Sequence, residues 1–159
     1  MDKSAASVGD IAQQIIKDAD ILYEFVLKYS ASMYLPIDYG TGDKLNMIEA
    51  HLLTYIDEHP GITGTELAKL WNRTKGAISQ QVKKLVSRGY VRKEKQDGNA
   101  KIILLYVTEK GRQISLAHKM HDVVDITQTL QILSKTCTID EIMAFYKVVS
   151  GYVSILDEE

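Results

Sequence analysis

The sequence has little cysteine and proline and no long apolar run. Its 159 residues include one cysteine, Cys137, and two prolines. A single cysteine excludes an intrachain disulfide and a cysteine-rich zinc site. No 18 apolar residues occur together without a charge, and the N-terminal stretch MDKSAASVGDIAQQ lacks the apolar core of a signal peptide. We therefore expect a soluble, cytoplasmic protein with no membrane partner.

Cys137 itself admits two interpretations. A thiol near cations can serve as a redox sensor, because a lowered pKa favours the reactive thiolate. Cys137 is flanked by Thr136 and Thr138, and Lys135 is the one cation close to it in the sequence. That setting favours a passive structural role over sensing.

The stretch from Ile62 to Thr108 contains two short amphipathic helices in succession. Thr63 and Glu66 have the spacing of a capping box and predict the start of the first helix. Its apolar stripe is predicted at Leu67, Leu70 and Trp71. The chain then has to reverse, at Asn72, a residue type that tolerates the left-handed conformation.

The second helix follows at once, with Thr74 as its predicted N-cap. Ile78, Val82 and Leu85 recur with helical spacing and are expected to face the core. Gly89 is typical of a helix C-terminus. The opposite face is polar and suits a DNA major groove, since glutamine can pair with an adenine edge and lysine can meet phosphates. This face carries Lys75, Gly76, Gln80, Gln81, Lys83 and Lys84.

Two strands with a polar tip complete the segment. Residues 90–95 and 102–107 read as strands, and Asp97-Gly98 between them is a strong hairpin signal. Two helices followed by such a hairpin predict a winged helix-turn-helix. The fold class is therefore mainly α (α+β), with residues 44–108 as the DNA-binding lobe of a single domain spanning 1–159.

Charge is concentrated in the same segment. Residues 67–101 contain ten cations and two anions, a balance of +8, although the net charge of the whole chain is −2. The remainder of the chain is therefore strongly acidic. One basic patch on an acidic protein indicates a single face that meets a polyanion.

The flanking regions predict long helices at 8–30 and 112–157 that dimerise the chain. The N-terminal helix is apolar on more than one face and needs a partner to bury it. In the C-terminal region the apolar residues keep strict three-and-four spacing, which is typical of helix-on-helix packing. They are Ile139, Ile142, Tyr146, Val149, Val153 and Leu156.

These residues resemble the MarR family of transcription regulators. The resemblance rests on Glu66-Leu67-Ala68, Ser79, Val82, Leu85, Gly89-Tyr90-Val91 and the closing Val107-Thr108-Glu109-Lys110-Gly111. It implies a homodimer that binds a pseudo-palindromic operator, usually as a repressor, and releases DNA when an effector arrives. The sequence departs from the family in the wing, where Asn99-Ala100-Lys101 stands at the usual Asp-x-Arg position.

Together the pattern and the resemblance assign roles to individual side chains. Residues predicted to approach bases and nearby phosphates are Thr74, Lys75, Gly76, Gln80, Gln81 and Lys84. Residues predicted to hold backbone phosphates are Lys69, Ser79, Arg92, Lys93 and Lys101, and Lys83 is a further predicted DNA-binding residue.

An effector pocket is a further hypothesis. The family often holds small molecules between its dimerisation helices and its DNA-binding lobe. Aromatic side chains that could line such a pocket for a small aromatic or phenolic effector are Tyr23, Tyr34, Tyr39 and Tyr55. The alternative is that these rings only pack against other side chains and line no pocket.

Three other functions are weaker alternatives. His118, His121, Asp122 and Asp125 share one helical face and could bind a metal, with His51 or Glu109 completing the site, but a solvated face is more common. We therefore expect no metal and no other cofactor. A winged helix could instead bind protein, although the ten clustered cations argue for DNA. No phosphate-binding loop, nucleophile elbow or zinc-protease motif occurs, so an enzyme is not expected.

Overall fold

The chain is mainly helical, as predicted, and contains two small antiparallel sheets. A computed structural model describes residues 7–157. The helices are α1 Val8–Ser32, α2 Met47–Glu58, α3 Gly64–Leu70, α4 Lys75–Ser87, α5 Glu109–Leu133 and α6 Ile139–Asp157. The strands are β1 Ile37–Asp38, β2 Lys44–Leu45, β3 Ile62–Thr63, β4 Val91–Gln96 and β5 Asn99–Val107. The ends of the predicted domain, 1–6 and 158–159, lie outside the described residues.

The chain divides into two compact units, one up to His118 and one from Lys119 onward. The first unit holds α1 to α4, all five strands and the first turns of α5. In it β1 pairs with β2, and β3, β5 and β4 form a sheet in that order, with every pairing antiparallel. The second unit holds the rest of α5 and α6. The predicted limits of the DNA-binding lobe and of the dimerisation helices remain predictions.

The core of the first unit lies where α2, α3 and α4 pack on the sheet. Its buried side chains come from every one of these elements and from the first turns of α5. Together with Tyr39 from the connection after α1, they are Leu45, Ala50, Leu52, Leu53, Ile56, Leu67, Ala68, Ile78, Val82, Leu85, Tyr90, Val91, Leu105 and Ile114. Ile78, Val82 and Leu85 face the core as their spacing predicted, so the opposite side of α4 faces outward.

Local hydrogen bonds define the predicted helix-turn-helix junction. Thr63 Oγ1 accepts a hydrogen bond from the backbone N–H of Glu66 at 3.2 Å, and the Glu66 carboxylate accepts one from the N–H of Thr63 at 2.8 Å. The backbone N–H and then the hydroxyl of Thr63, which both donate to the Glu66 carboxylate, lower the pKa of Glu66. Asn72 has φ of 45°, and Thr74 Oγ1 caps α4 by accepting from Ala77 N–H at 3.2 Å. The capping box, the left-handed turn and the second N-cap are therefore confirmed.

Some sequence expectations were wrong. Leu70, predicted in the apolar stripe of α3, is 59% exposed, because this seven-residue helix turns only Leu67 and Ala68 into the core. The connection between α1 and α2, where the sequence indicated no strand, contains β1 and β2. The turn between them is held by Asp38 Oδ1, which accepts from three successive backbone N–H groups at 2.9–3.1 Å.

The first turn of α5 lies directly against β4. Thr108 N–H donates to the carbonyl of Tyr90 at 2.9 Å, and the Thr108 hydroxyl donates to the carbonyl of Gly89 at 2.6 Å. Gly111 is buried at this contact, and an added Cβ would lie 2.1 Å from the carbonyl oxygen of Tyr90. Only glycine therefore permits this approach of helix and strand. No described helix combines the length and the apolar content that crossing a bilayer requires.

Candidate nucleic-acid interface

A groove of 620 Å³ runs between α4 and the hairpin of β4 and β5. Four of the residues predicted to contact DNA line it, namely Lys75 and Ser79 from α4, Lys93 from β4 and Lys101 from β5. Three lysine side chains from three elements thus line one concave surface. Glu66 is the acidic residue among the groove's lining, and its carboxylate is engaged by the α3 cap. The groove is therefore positively charged, which suits contact with a phosphate backbone.

The two neighbouring glutamines of α4 differ in how far they are exposed to solvent. Gln80 is exposed, together with the small residues Gly76 and Ala77 on the preceding turn. Gln81 is half-buried, and its Oε1 is shielded from solvent and has no hydrogen-bond partner within residues 7–157. The exposed Gln80 amide is thus available to a base edge, whereas that of Gln81 is partly withdrawn.

The remaining predicted residues outside the groove are also exposed. Lys69 lies in the last turn of α3, and Lys83 lies on the outer side of α4. Arg92 is half-exposed, pairs with Glu94 and places its guanidinium 4.7 Å from the ring centre of Tyr106. This pairing reduces the charge that Arg92 offers to a phosphate.

The tip of the hairpin is tighter than predicted. Only Asp97 and Gly98 lie between the strands, and Gly98 has φ of 75°, a left-handed conformation that glycine adopts without strain. The pairing then changes register after Lys95, and Asn99 Oδ1 accepts from Lys101 N–H at 3.2 Å. Asn99 thereby shapes the backbone that presents Lys101 to the groove.

Lys84 has a partner that the sequence did not reveal. Its ammonium nitrogen lies 3.6 Å from Glu49 Oε1, and Arg88 Nη1 lies 3.7 Å from Glu49 Oε2. The Glu49 side chain is 11% exposed, and Arg88 also donates to the carbonyl of Lys44 at 2.7 Å. These contacts join the last turn of α4 to the start of α2.

The ring of Tyr90 packs at the same C-terminal end of α4, next to Arg88. Its buried ring has Arg88 and Lys110 each 4.9 Å from its centre. Burial, and then the neighbouring Asp43 carboxylate, raise the pKa of the Tyr90 phenol. Lys110 lies 3.1 Å from Asp43 and lowers the pKa of that carboxyl. The Lys110–Asp43 pair thus links the first turn of α5 to the chain just before β2.

The four tyrosines predicted for an effector pocket occupy different surroundings. Tyr23 and Tyr34 are 65% and 55% exposed, whereas Tyr39 is buried with its ring 5.0 Å from that of His118. Tyr55 stacks on His59 at 4.1 Å and lines a shallow cleft that Leu70 also borders. That cleft is not lined by the other three tyrosines. The shared pocket remains a prediction.

Of the predicted metal-binding residues, His118 meets His51 across α2 and α5. His118 is 1% exposed, and its Nε2 lies 3.4 Å from His51 Nδ1. Two ligands of a tetrahedral zinc ion at about 2.0–2.1 Å are about 3.4 Å apart, so the two nitrogens have a spacing that zinc accepts. In the second unit, His121 Nδ1 lies 3.9 Å from Asp122 Oδ1.

Within the first unit, polar side chains of α5 contact polar side chains of α2 at two places. Arg112 Nε lies 3.7 Å from Asp57, and six residues further along α5 His118 meets His51, six residues earlier on α2. The helices are therefore antiparallel here, and Thr54 and Ser115 fall midway between the two pairs. Both hydroxyl oxygens are buried and lack a hydrogen-bond partner among the described residues. We call the two contacts Arg112–Asp57 and His51–His118 the α2–α5 seam.

Replacing Ser115 by alanine is expected to stabilise the protein. Ser115 is 0% exposed, and its unpaired hydroxyl costs free energy that a methyl group of nearly the same size would not. The free energy of unfolding in urea should rise by about 1 kcal/mol. The exposed Ser87 on α4, whose hydroxyl donates to the carbonyl of Lys84, supplies the control, because its replacement by alanine should give no gain. A loss of stability in the Ser115 variant would mean that its hydroxyl is satisfied.

Comparisons with known proteins agree with this architecture. Residues 44–102 match the MarR family. The chain is 26% identical over 87 residues to YhjH of Bacillus subtilis, an uncharacterized HTH-type transcriptional regulator, covering 55% of this chain and 50% of that protein. The chain thus spans about half the length of that relative.

Two solved structures share the fold over nearly the whole chain. One is Streptococcus pneumoniae FabT in complex with DNA, with a TM-score of 0.67 and 20% identity, covering 92% of this chain and 98% of FabT. The other is Lactococcus lactis ZitR, a zinc-responsive MarR family member, with a TM-score of 0.61 and 20% identity, covering 93% of this chain and 97% of ZitR. The family match over residues 44–102 confirms, for this part of the chain, the resemblance drawn from the sequence, and this part is similar to the MarR family of transcription regulators.

Proposed function

We propose that this chain is a homodimeric repressor that binds a pseudo-palindromic operator in double-stranded DNA and releases it when an effector binds. The observation that carries the proposal is the groove between α4 and the hairpin, where Lys75, Lys93 and Lys101 converge. Such convergence is costly unless a polyanion offsets the repulsion among the ammonium groups. The complex of FabT with DNA shows that this fold can serve DNA binding.

Dimerisation is supported by apolar surface in both units. α1 has 25 residues and none of them is buried, although it carries many large apolar side chains. Ile16, Ile21 and Leu27 are each more than 70% exposed. In the second unit, α6 leaves Ile139, Tyr146 and Leu156 about as exposed as Tyr23. A second copy would remove this surface from water, and burial of apolar area is the main driving force of association.

Within the dimer, the two classes of contact would come from different elements. We assign direct contact with base edges to the outer face of α4, where Gly76 and Gln80 are exposed, and phosphate contact to the groove and its rim. The rim residues are Lys69, Thr74, Lys83 and Arg92. Lys101 would hold the backbone through a hairpin whose tip is shaped by Asn99.

Gln80 and Gln81 are expected to differ when each is replaced by alanine. Loss of the exposed Gln80 amide should reduce discrimination between the operator and a single-base variant by about 1–3 kcal/mol. Loss of the half-buried Gln81 amide should change discrimination far less. Competition binding with single-base operator variants measures both. If the Gln81 variant lost more discrimination than the Gln80 variant, the proposed orientation of α4 on DNA would be incorrect.

The proposed function is tested by binding the purified protein to the DNA upstream of its own gene. Affinity is measured across a range of salt concentrations with random duplex as competitor. We expect tight binding that survives the competitor and falls steeply with salt, because released counterions dominate the affinity. Absence of binding to any duplex at low salt would favour the alternative, a winged helix that binds protein.

Two narrower statements belong to the same proposal. A regulator of this kind acts where the chromosome is, so we place it in the cytoplasm. We also infer that it works by binding alone, without catalysing a reaction. Incubation of the protein with its operator should leave the DNA covalently unchanged.

For the effector we propose a small aromatic or phenolic molecule bound near the tyrosines of α1 and the following connection. Tyr34 is the informative position, because it is 55% exposed and can be replaced by alanine without opening the core. Benzoate titrated into the protein–DNA complex should release DNA from the wild type at a lower concentration than from the Tyr34 variant. An identical benzoate response in both proteins would remove Tyr34 from the site.

The second candidate effector is zinc, favoured by the His51–His118 pair. Two imidazole nitrogens 3.4 Å apart can ligate one ion, and ZitR, which shares this fold, is zinc-responsive. Zinc would add a Lewis-acidic cross-link between α2 and α5. Dialysed wild type should bind zinc in calorimetry and change its DNA affinity, and His51→Ala should lose both responses. Zinc-independent DNA binding by the wild type would exclude zinc as the effector.

A further inference from the structure

We propose that Glu49 is a positioning residue for DNA recognition, which holds the last turn of α4 in place and withdraws Lys84 from the phosphates. The inference rests on the proposed DNA-binding function and assigns a role to a residue outside the groove. Glu49 lies near the start of α2, and the nearest DNA-directed residue in the sequence is Lys69.

The geometry places Glu49 at the meeting point of two helices. Its Oε1 faces Lys84 and its Oε2 faces Arg88, at 3.6 and 3.7 Å. Oε2 also accepts from the backbone N–H of Asn46 at 3.3 Å, while Asn46 Oδ1 accepts from the N–H of Glu49 at 2.8 Å. One carboxylate therefore completes the capping box of α2 and binds two cations from α4.

Burial makes these contacts stronger than those of a typical surface pair. The Glu49 side chain is 11% exposed, so water screens it poorly, and its charge has to be balanced by neighbours. Arg88 is fixed further by its hydrogen bond to Lys44 and by the ring of Tyr90. Lys84 is 58% exposed and is thus the flexible partner.

Two consequences follow for DNA binding. First, rotation of α4 about its axis would separate Lys84 and Arg88 from Glu49, so the carboxylate fixes which residues of α4 face the bases. Second, Lys84 is neutralised before DNA arrives, and its release to a phosphate would leave Glu49 with one cation fewer. Glu49 therefore raises sequence preference by restraining α4 and by suppressing one sequence-independent phosphate contact.

The test replaces Glu49 by glutamine. Glutamine keeps the shape of the side chain and can still complete the α2 capping box, so the fold is retained. Freed Lys84 should reach a phosphate and steepen the salt dependence of binding to random duplex by about one unit per half-site. The ratio of operator affinity to random-duplex affinity should fall about fivefold.

Controls separate this role from a purely structural one. Glu141→Gln removes a carboxylate from the equivalent capping position of α6 and should leave the salt slope unchanged. Lys84→Gln alone should change the slope little, and in the Glu49→Gln background it should restore the wild-type slope. The proposal is overturned if Lys84→Gln alone lowers the slope by about one unit while Glu49→Gln does not alter it.

Failure of the proposed function would look different. A wild type that binds random duplex but shows no operator preference would contradict sequence-specific regulation. The slope comparison on random duplex would still decide whether Glu49 withholds Lys84.

Discussion

Replacement of Gly111 by alanine is expected to lower the free energy of unfolding by about 3 kcal/mol or more, because overpacking here cannot be relieved by a side-chain movement. The added Cβ would lie 2.1 Å from the carbonyl oxygen of Tyr90. That atom belongs to the backbone, and the Tyr90 carbonyl also accepts a hydrogen bond from Thr108 N–H. The helix would have to move away from β4 as a body, breaking this bond. Urea unfolding followed by circular dichroism measures the loss.

Gly151 provides the matched control. It also lies inside a helix, α6, but nothing stands within 4 Å of an added Cβ. Alanine there should stabilise by about 0.5–1 kcal/mol through its higher helix propensity. If both variants lost stability equally, the contact with Tyr90 would not be the cause.

Neutralising the groove is expected to have the largest effect on DNA binding. A triple replacement of Lys75, Lys93 and Lys101 by glutamine removes its three lysines. The slope of log affinity against log salt should fall by about three units for each half-site, and affinity at 0.1 M salt should fall by about two to three orders of magnitude. Because phosphates carry no sequence information, operator and random duplex should weaken about equally. Titration of both duplexes across salt measures this.

An equal loss of charge elsewhere provides the comparison. Lys17 on α1, Lys135 after α5 and Lys147 on α6 are exposed, and all three can be replaced by glutamine. That variant has the same net charge as the groove variant, so its slope should stay close to the wild-type value. A similar decrease in both triple variants would mean that net charge, rather than the groove, attracts DNA.

The parts of the fold that were predicted correctly depend on short-range chemistry. Thr63 and Glu66 are three residues apart, and the capping box they form needs no other part of the chain. Asn72 and Gly89 mark places where the backbone has to adopt positive φ. In each case the residue type and its spacing contain the physical constraint, so the sequence alone was sufficient.

The parts that were missed depend on residues far apart in the sequence. Nothing near Lys84 indicates that Glu49 balances its charge, and nothing near Arg112 points to Asp57. Leu70 has the right helical spacing for burial, but α3 ends before its outer side meets another element. Such pairings are set by how helices pack against one another, which periodicity does not encode.

The α2–α5 seam has a mechanical consequence. Sliding α5 by one turn, about 5.4 Å, would bring Arg112 opposite Thr54 and Ser115 opposite His51, so an ion pair and the imidazole pair would be lost together. Both contacts therefore resist movement of α5 along its own axis. Rotation of α5 about its axis by a small angle would keep the groups of each pair at the same level along α2. We accordingly expect that a signal transmitted along α5 to the DNA-binding unit is a rotation of that helix about its axis rather than a displacement along it.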